Sequence, residues 1–228
     1  MWRLAGGIPA TRGAGGGLRP YGRGVTDAVF PPGFFDRADP SPDAGFYGPP
    51  RLVTHIDDRA IAAVGALYAE LGLDGEVLDL CSSWISHFPD PPRRLVGLGM
   101  NAAELAANPA LAERVVRDLN TDPSLPFPDA SFDDAVCCVS VDYLVDPVAV
   151  FREIARVLRP GGRFVVTFSN RCFPTKAIRG WLGTDDEGRL EIVNAFFVVS
   201  EGFGEVRGQL RTPPGRGDPL YAVWAERR

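Results

Sequence analysis

Apolar positions along this chain follow two periods. Ile61, Val64, Leu67, Tyr68 and Leu71 recur at helical spacing behind Asp57 or Asp58, either of which can cap a helix, and ahead of Gly72, which can end one. Short apolar runs at 76–80, 94–98, 114–116, 134–141 and 163–168 then alternate with helical stretches. That alternation predicts a parallel sheet covered by helices. The helix before the last run is well punctuated: Asp146 is its N-cap, Pro147 its first residue, and Val150, Phe151, Ile154, Val157 and Leu158 form its apolar face. Arg159-Pro160-Gly161-Gly162 then turns the chain into the next strand. Beyond Asn170, a helix over 186–203 precedes extended pieces at 205–210 and 220–225, separated by Pro213, Pro214, Gly215 and Gly217, which predicts a terminal antiparallel hairpin.

The first quarter of the chain lacks both periods. Residues 27–56 carry six prolines among Phe30, Phe34, Phe35, Phe46 and Tyr47, a mixture that excludes a long helix or a central strand and reads as an arm or lid. Residues 1–26 hold eight glycines, four arginines and no acidic residue before Asp27, the composition of a disordered extension; organelle targeting is the alternative, although no serine occurs before Ser41. The folded unit is therefore expected over 57–228.

Composition narrows the function. A net charge of −5 argues against nucleic acid and anionic membrane as partners and favours a small molecule. No apolar run is long enough to span a bilayer, so a cytoplasmic protein is expected. Cys81, Cys137, Cys138 and Cys172 form no C-x-x-C pair, and only His55 and His87 could join them, so no metal site is predicted. Oligomeric state is not readable.

Leu125-Pro126-Phe127-Pro128-Asp129-Ala130-Ser131-Phe132-Asp133, followed by Phe151-Arg152-Glu153-Ile154-Ala155-Arg156 and Val157-Leu158-Arg159-Pro160-Gly161-Gly162, resembles the core of class I S-adenosylmethionine-dependent methyltransferases of the methyltransferase type 11 kind. Glu76-Val77-Leu78-Asp79-Leu80 resembles the first strand of that fold. The resemblance implies a doubly wound, mostly parallel, seven-stranded Rossmann-like α/β sheet with a C-terminal antiparallel hairpin, S-adenosylmethionine as cofactor, and methyl transfer to a small molecule. A methyltransferase-like binding or regulatory protein is the alternative.

It also implies the site residues. Asp79, Ser82, Ser83, Asn101, Asp118, Leu119, Asn120 and Ser140 fall where that family holds its cofactor, with Asp118 foremost, while His87, His55, Asp142 and Tyr143 are the candidates for catalysis. Each has a plainer reading: Asp118 and Asp142 as turn or helix caps, and the histidines as packed or hydrogen-bonded loop residues. Two departures stand out. The family's Gly-x-Gly-x-Gly loop is here Cys81-Ser82-Ser83-Trp84-Ile85, which is expected to take another path because left-handed backbone is costly without glycine. Gly99 stands where an acidic residue would hold the ribose, leaving Asn101 or Glu104 to substitute.

Overall fold

The computed structural model describes residues 29–213 and 215–228. The expected extension over 1–26 lies outside them. The pleat of each strand sorts its side chains onto two apolar layers, and those layers define the fold. Strands β1 (Glu76–Leu80), β2 (Arg94–Gly99), β3 (Glu113–Val116), β4 (Phe132–Cys138) and β5 (Leu158–Phe168) pair in parallel. The hairpin of β6 (Arg207–Thr212) and β7 (Leu220–Glu226) adds antiparallel against β5. The sheet order is β3-β2-β1-β4-β5-β7-β6.

On one face Leu78, Leu80, Cys137, Phe164, Val166 and Phe168 pack under Phe151 and Ile154 of α4 (Pro147–Val157) and Phe196 and Phe197 of α6 (Asp186–Ser200). On the other, Val77, Val136 and Val165 pack under Val64, Leu67 and Tyr68 of α2 (Asp58–Glu70). Each such buried side chain contributes about 1.5–3 kcal/mol of apolar transfer. These rows therefore hold the sheet, and the strand ends are left for chemistry. The helix starts are as the sequence predicts: Asp57 accepts from the Ala60 amide and Asp146 from that of Ala149, with Pro147 in the first turn.

Several boundaries move for local reasons. Strand β4 stops at Cys138 because Val139 turns left-handed, at φ +45°, into a 3-10 turn over Val141–Tyr143. Strand β5 begins at Leu158, because the Gly161 amide donates to the Arg227 carbonyl and the Arg227 amide to that of Gly162, pairing the expected turn with the chain's end. Helix α6 ends at Ser200, where Glu201 takes φ +58°.

Three short helices, α1 (Asp43–Tyr47), α3 (Ala102–Ala107) and α5 (Arg179–Leu182), complete the described elements. The arm is built into the fold. Phe30 and Phe34 are buried and meet Phe35 at ring distances of 5.1 Å, with Phe196 of α6 5.5 Å from Phe30. Among the described residues no helix is long and apolar enough to cross a membrane.

Candidate active site

The chain leaves β1 toward β2 and β3 on one side and reaches β5 through β4 on the other, so the strand order reverses between β1 and β4 and their carboxyl ends open a crevice. A cavity of about 580 Å³ fills it, lined by the loops after β1 to β5 and by the arm. That is ample for a small molecule.

Two strained turns shape the crevice. Cys81 follows β1 at φ +55° and Val139 follows β4 at φ +45°. Each costs about 1–2 kcal/mol relative to right-handed backbone, and a β-branched valine tolerates this poorly. The expectation that the first loop avoids left-handed backbone for want of glycine is thus overturned at Cys81. The loop then presses on β2: the Ser82 amide donates to the Leu98 carbonyl at 2.8 Å, and a Cβ on Gly99 would lie 2.1 Å from the Ser82 carbonyl oxygen. No side chain fits at position 99, which accounts for the missing acidic residue.

Strand alternation sends Asp79 to the α2 face with Val77. Its Oδ2 accepts from Ser82 Oγ at 2.7 Å and Ser86 Oγ at 2.6 Å. Burial pushes its carboxyl up to about 6, against the pull of those two hydroxyls. Ser83 Oγ donates to Glu104 Oε2 at 2.6 Å while the Arg51 amide donates to Oε1 at 2.7 Å, so Glu104 ties loop and arm together at the cavity wall.

Asn101 is committed differently from the sequence expectation. Its Oδ1 caps α3 by accepting from the amides of Ala103 and Glu104, and its Nδ2 donates to the carbonyls of Tyr47 and Gly48, both at 2.9 Å. It pins the arm, with all of its polar side-chain atoms engaged by protein groups. Asn120 is equally occupied: Nδ2 donates to Asp43 Oδ2 and the Tyr143 carbonyl, and Oδ1 accepts from the Val145 amide. Asp118 closes its own turn, accepting from the Asn120 amide at 2.9 Å and Thr121 Oγ1 at 2.8 Å. Leu119 is buried at the wall, and Ser140 Oγ donates to the Cys138 carbonyl.

Of the catalytic candidates, His87, His55 and Tyr143 line the cavity and Asp142 does not. Asp142 is buried beside Tyr143; its Oδ2 has no hydrogen-bond partner and burial pushes its carboxyl up to about 7. Its place behind the wall removes it from the catalytic candidates. His87 Nδ1 is buried without a partner, and burial lowers its affinity for a proton, so the ring is neutral at pH 7. The His55 ring stands 5.4 Å from that of Phe173. The Tyr143 hydroxyl accepts from the Phe173 amide at 2.9 Å, and burial pushes the phenol's pKa up.

Sequence reasoning missed what the arm contributes. Tyr47 lines the cavity with a buried hydroxyl that has no partner. Asp43 holds the arm down: Arg37 donates to both of its oxygens at 2.7 and 2.8 Å, and Lys176, fully buried, lies 3.2 Å from Oδ1. Arg51 covers the Phe46 ring at 4.5 Å. The aromatic run of the arm was the available signal, but pairing across more than a hundred residues has none. Among the described residues, no group of three or more His, Cys, Asp or Glu is placed to hold a metal ion.

Comparison with known proteins places the site in context. A model of the methyltransferase domain matches residues 84–166. The chain is 39% identical over 82 residues to a probable S-adenosylmethionine-dependent methyltransferase of Mycolicibacterium smegmatis, covering 36% of this chain and 32% of that one. It is 49% identical over 55 residues to a demethylmenaquinone methyltransferase of Mycobacterium sp., covering 22% and 24%. The matches thus span about a third or less of these relatives' length. Among solved structures, the [4+2]-cyclase SpnF shares the fold at TM-score 0.56 and 19% identity, covering 81% of this chain and 91% of that one.

Proposed function

We propose that this chain is a class I S-adenosylmethionine-dependent methyltransferase, a reading supported by the domain match over residues 84–166 and by the mycobacterial relative, and that it methylates a small molecule bound between the strand ends and the arm. The observation that carries the reading is the cavity at the β1/β4 reversal, with Asp79, Glu104 and His87 among the residues of its wall. When bound there, S-adenosylmethionine supplies an electrophilic methyl group on a sulfonium centre. The protein's task is then to hold, orient and deprotonate, since alignment of the reacting atoms supplies much of the rate.

Asp79 would hold the ammonium end of the cofactor, Glu104 the ribose hydroxyls and Leu119 the adenine. Neutral His87 would take the proton of the acceptor. The small-molecule acceptor is supported by the cavity's size, and by the name of the mycobacterial relative, which specifies demethylmenaquinone for that enzyme.

The test is calorimetric titration of the full chain with S-adenosylmethionine and S-adenosylhomocysteine, repeated on Asp79→Asn. Micromolar binding, weakened tenfold or more in the variant, is the expected result. No heat and no thermal stabilisation at millimolar cofactor would sink the reading. A second reading is then favoured by Gly99, whose packing leaves no room for a ribose acid at that position: a protein that binds its small molecule on this fold without methylating it.

A further inference from the structure

We infer that the methyl acceptor carries a carboxylate, held at the cavity wall by Arg171 of the loop after β5 and Arg51 of the arm. This deepens the methyl-transfer reading and rests on it.

This stretch of wall holds cations and N–H donors without matching acceptors. The Arg171 side chain is 66% exposed, and its ion pair with Asp218 spans 3.6 Å, too long for a hydrogen bond. Asp218 is held there by the Asp57 amide at 3.0 Å. Beside it, Asn170 Oδ1 accepts from Ser169 Oγ at 3.4 Å, while the Asn170 amide nitrogen has no partner among the described residues. The Arg51 guanidinium meets no carboxylate among them either: it donates to the Phe46 carbonyl at 2.8 Å and lies 4.5 Å from the Phe46 ring and 5.6 Å from that of Phe173. Phe173 links the two arginines, since it stands two residues after Arg171 and packs its ring toward Arg51 and, at 5.4 Å, His55. Burial lowers the affinity of His55 for a proton and Arg51 lowers it further, against the pull of Glu104, so the imidazole adds no charge of its own at pH 7.

The acids of the wall are engaged elsewhere. Asp43 is taken by Arg37 and Lys176, Asp79 by Ser82 and Ser86, and Asp118 by its own turn, while Glu104 accepts from Ser83 and the Arg51 amide. Two guanidinium groups left without a carboxylate in hydrogen-bond range call for an anion that only accepts, and a carboxylate matches their planar fork. The cofactor has a carboxylate of its own, but position favours the acceptor. In the sheet order β1-β4-β5, the Arg171 loop is two strand spacings, roughly 10 Å, from the strand of Asp79. The cofactor's carboxylate shares a carbon with the ammonium group assigned to Asp79, which keeps it on the β1 side.

The experiment titrates the full chain with 2-naphthoate and with 2-naphthamide by fluorescence, in the wild type, Arg171→Gln and Arg171→Lys. Arg171 is exposed and has only a loose partner, so both variants should keep the wild-type melting temperature. Wild type should bind the anion roughly tenfold more tightly than the amide, the ratio given by one hydrogen bond to a charged group. Arg171→Gln should remove most of that preference and leave the amide unchanged, and Arg171→Lys should restore part of it, because charge returns without the fork. Arg51→Gln should lower the same ratio. S-adenosylhomocysteine and 5′-methylthioadenosine, which lacks the amino-acid end, are titrated in parallel, and their affinity ratio should be the same in wild type and Arg171→Gln. A naphthoate preference that is absent from the wild type or survives in Arg171→Gln, or no binding of either probe, would overturn the assignment. A collapse of the nucleoside ratio in Arg171→Gln would overturn it too, by giving Arg171 to the cofactor's carboxylate. If neither nucleoside binds any form, the methyl-transfer reading falls, while the naphthoate ratio still decides whether Arg171 holds a carboxylate.

Discussion

Replacing Asp43 by asparagine tests whether the arm is held by charge. Asp43 is 2% exposed and receives Arg37 at 2.7 and 2.8 Å, Asn120 Nδ2 at 2.7 Å and Lys176 Nζ at 3.2 Å. Lys176 is itself 0% exposed, with the Asp39 carboxylate at 3.0 Å and the Ser41 carbonyl at 2.9 Å among its remaining partners. Removing one member of a buried ion pair costs about 3–5 kcal/mol, because it strands the other charge. Asp39 still faces Lys176 in the variant, so the lower figure, about 3 kcal/mol, applies. For a chain of this length each kcal/mol lowers Tm by about 2–4 °C, which gives a fall of about 6–12 °C. Thermal unfolding followed by circular dichroism measures it, and trypsin cleavage after Arg37 and Arg51 reports on the arm itself. Burial alone would raise the Asp43 pKa, but Arg37, Asn120 and Lys176 outweigh it and hold the group below its ordinary value. The contribution is therefore complete above the unfolded carboxylate range and is lost as pH falls through the folded-state value. The gap between wild type and variant should be full at pH 7 and close on acidification. A Tm loss below about 2 °C at pH 7, with the arm still resistant to trypsin, would refute the reasoning.

Other positions give sharper local tests. Gly99→Ala should destabilise by about 2 kcal/mol or more, since its Cβ would meet the Ser82 carbonyl oxygen at 2.1 Å and backbone must move; chemical denaturation would show this, and a neutral result would contradict the packing. Ala130→Gly should stabilise by about 0.5–1 kcal/mol in the same assay, because Ala130 is exposed and held at φ +53°, where glycine carries no steric cost. Asp79 has its carboxyl raised to about 6, so its ionised form is the penalised one: the unfolded chain holds fewer protons between about 4 and 6, and stability should fall as pH rises across that window. The same ionisation should strengthen S-adenosylhomocysteine binding over that range, and Asp79→Asn should flatten both profiles in parallel titrations.

Much of the fold was legible because it rests on local patterns. The apolar faces of α2 and α4, the caps at Asp57 and Asp146, and the terminal hairpin each sit within a few residues of the signals that specify them. Boundaries failed where a single backbone angle decides, as at Val139 and Glu201, since neither residue type advertises left-handed backbone. Short α1, α3 and α5 escaped notice because fewer than two turns leave no readable period.

The site was less legible for a different reason. Sequence order located the loops that meet at the strand ends, so most of the candidates line the cavity, but it could not say which polar atoms are already spent. Asn101 and Asn120 look like ligand contacts in sequence, yet both are consumed in holding the arm, whereas Tyr47, one residue in an aromatic run, keeps an unpaired hydroxyl. The difference lies in pairings between segments 53 to 77 residues apart, Asn101 with Tyr47 and Gly48, and Asn120 with Asp43. Those same pairings explain how a chain without the usual glycines keeps a defined crevice. Ser82 and Gly99 close one wall by backbone contact, and the arm, fastened at Asp43 and Asn101, closes the other. A loosened arm should therefore weaken acceptor binding before it weakens binding at Asp79. Comparing the arm's resistance to trypsin with S-adenosylhomocysteine affinity in Asp43→Asn would separate the two walls, and an equal loss of both would mean that they form one unit.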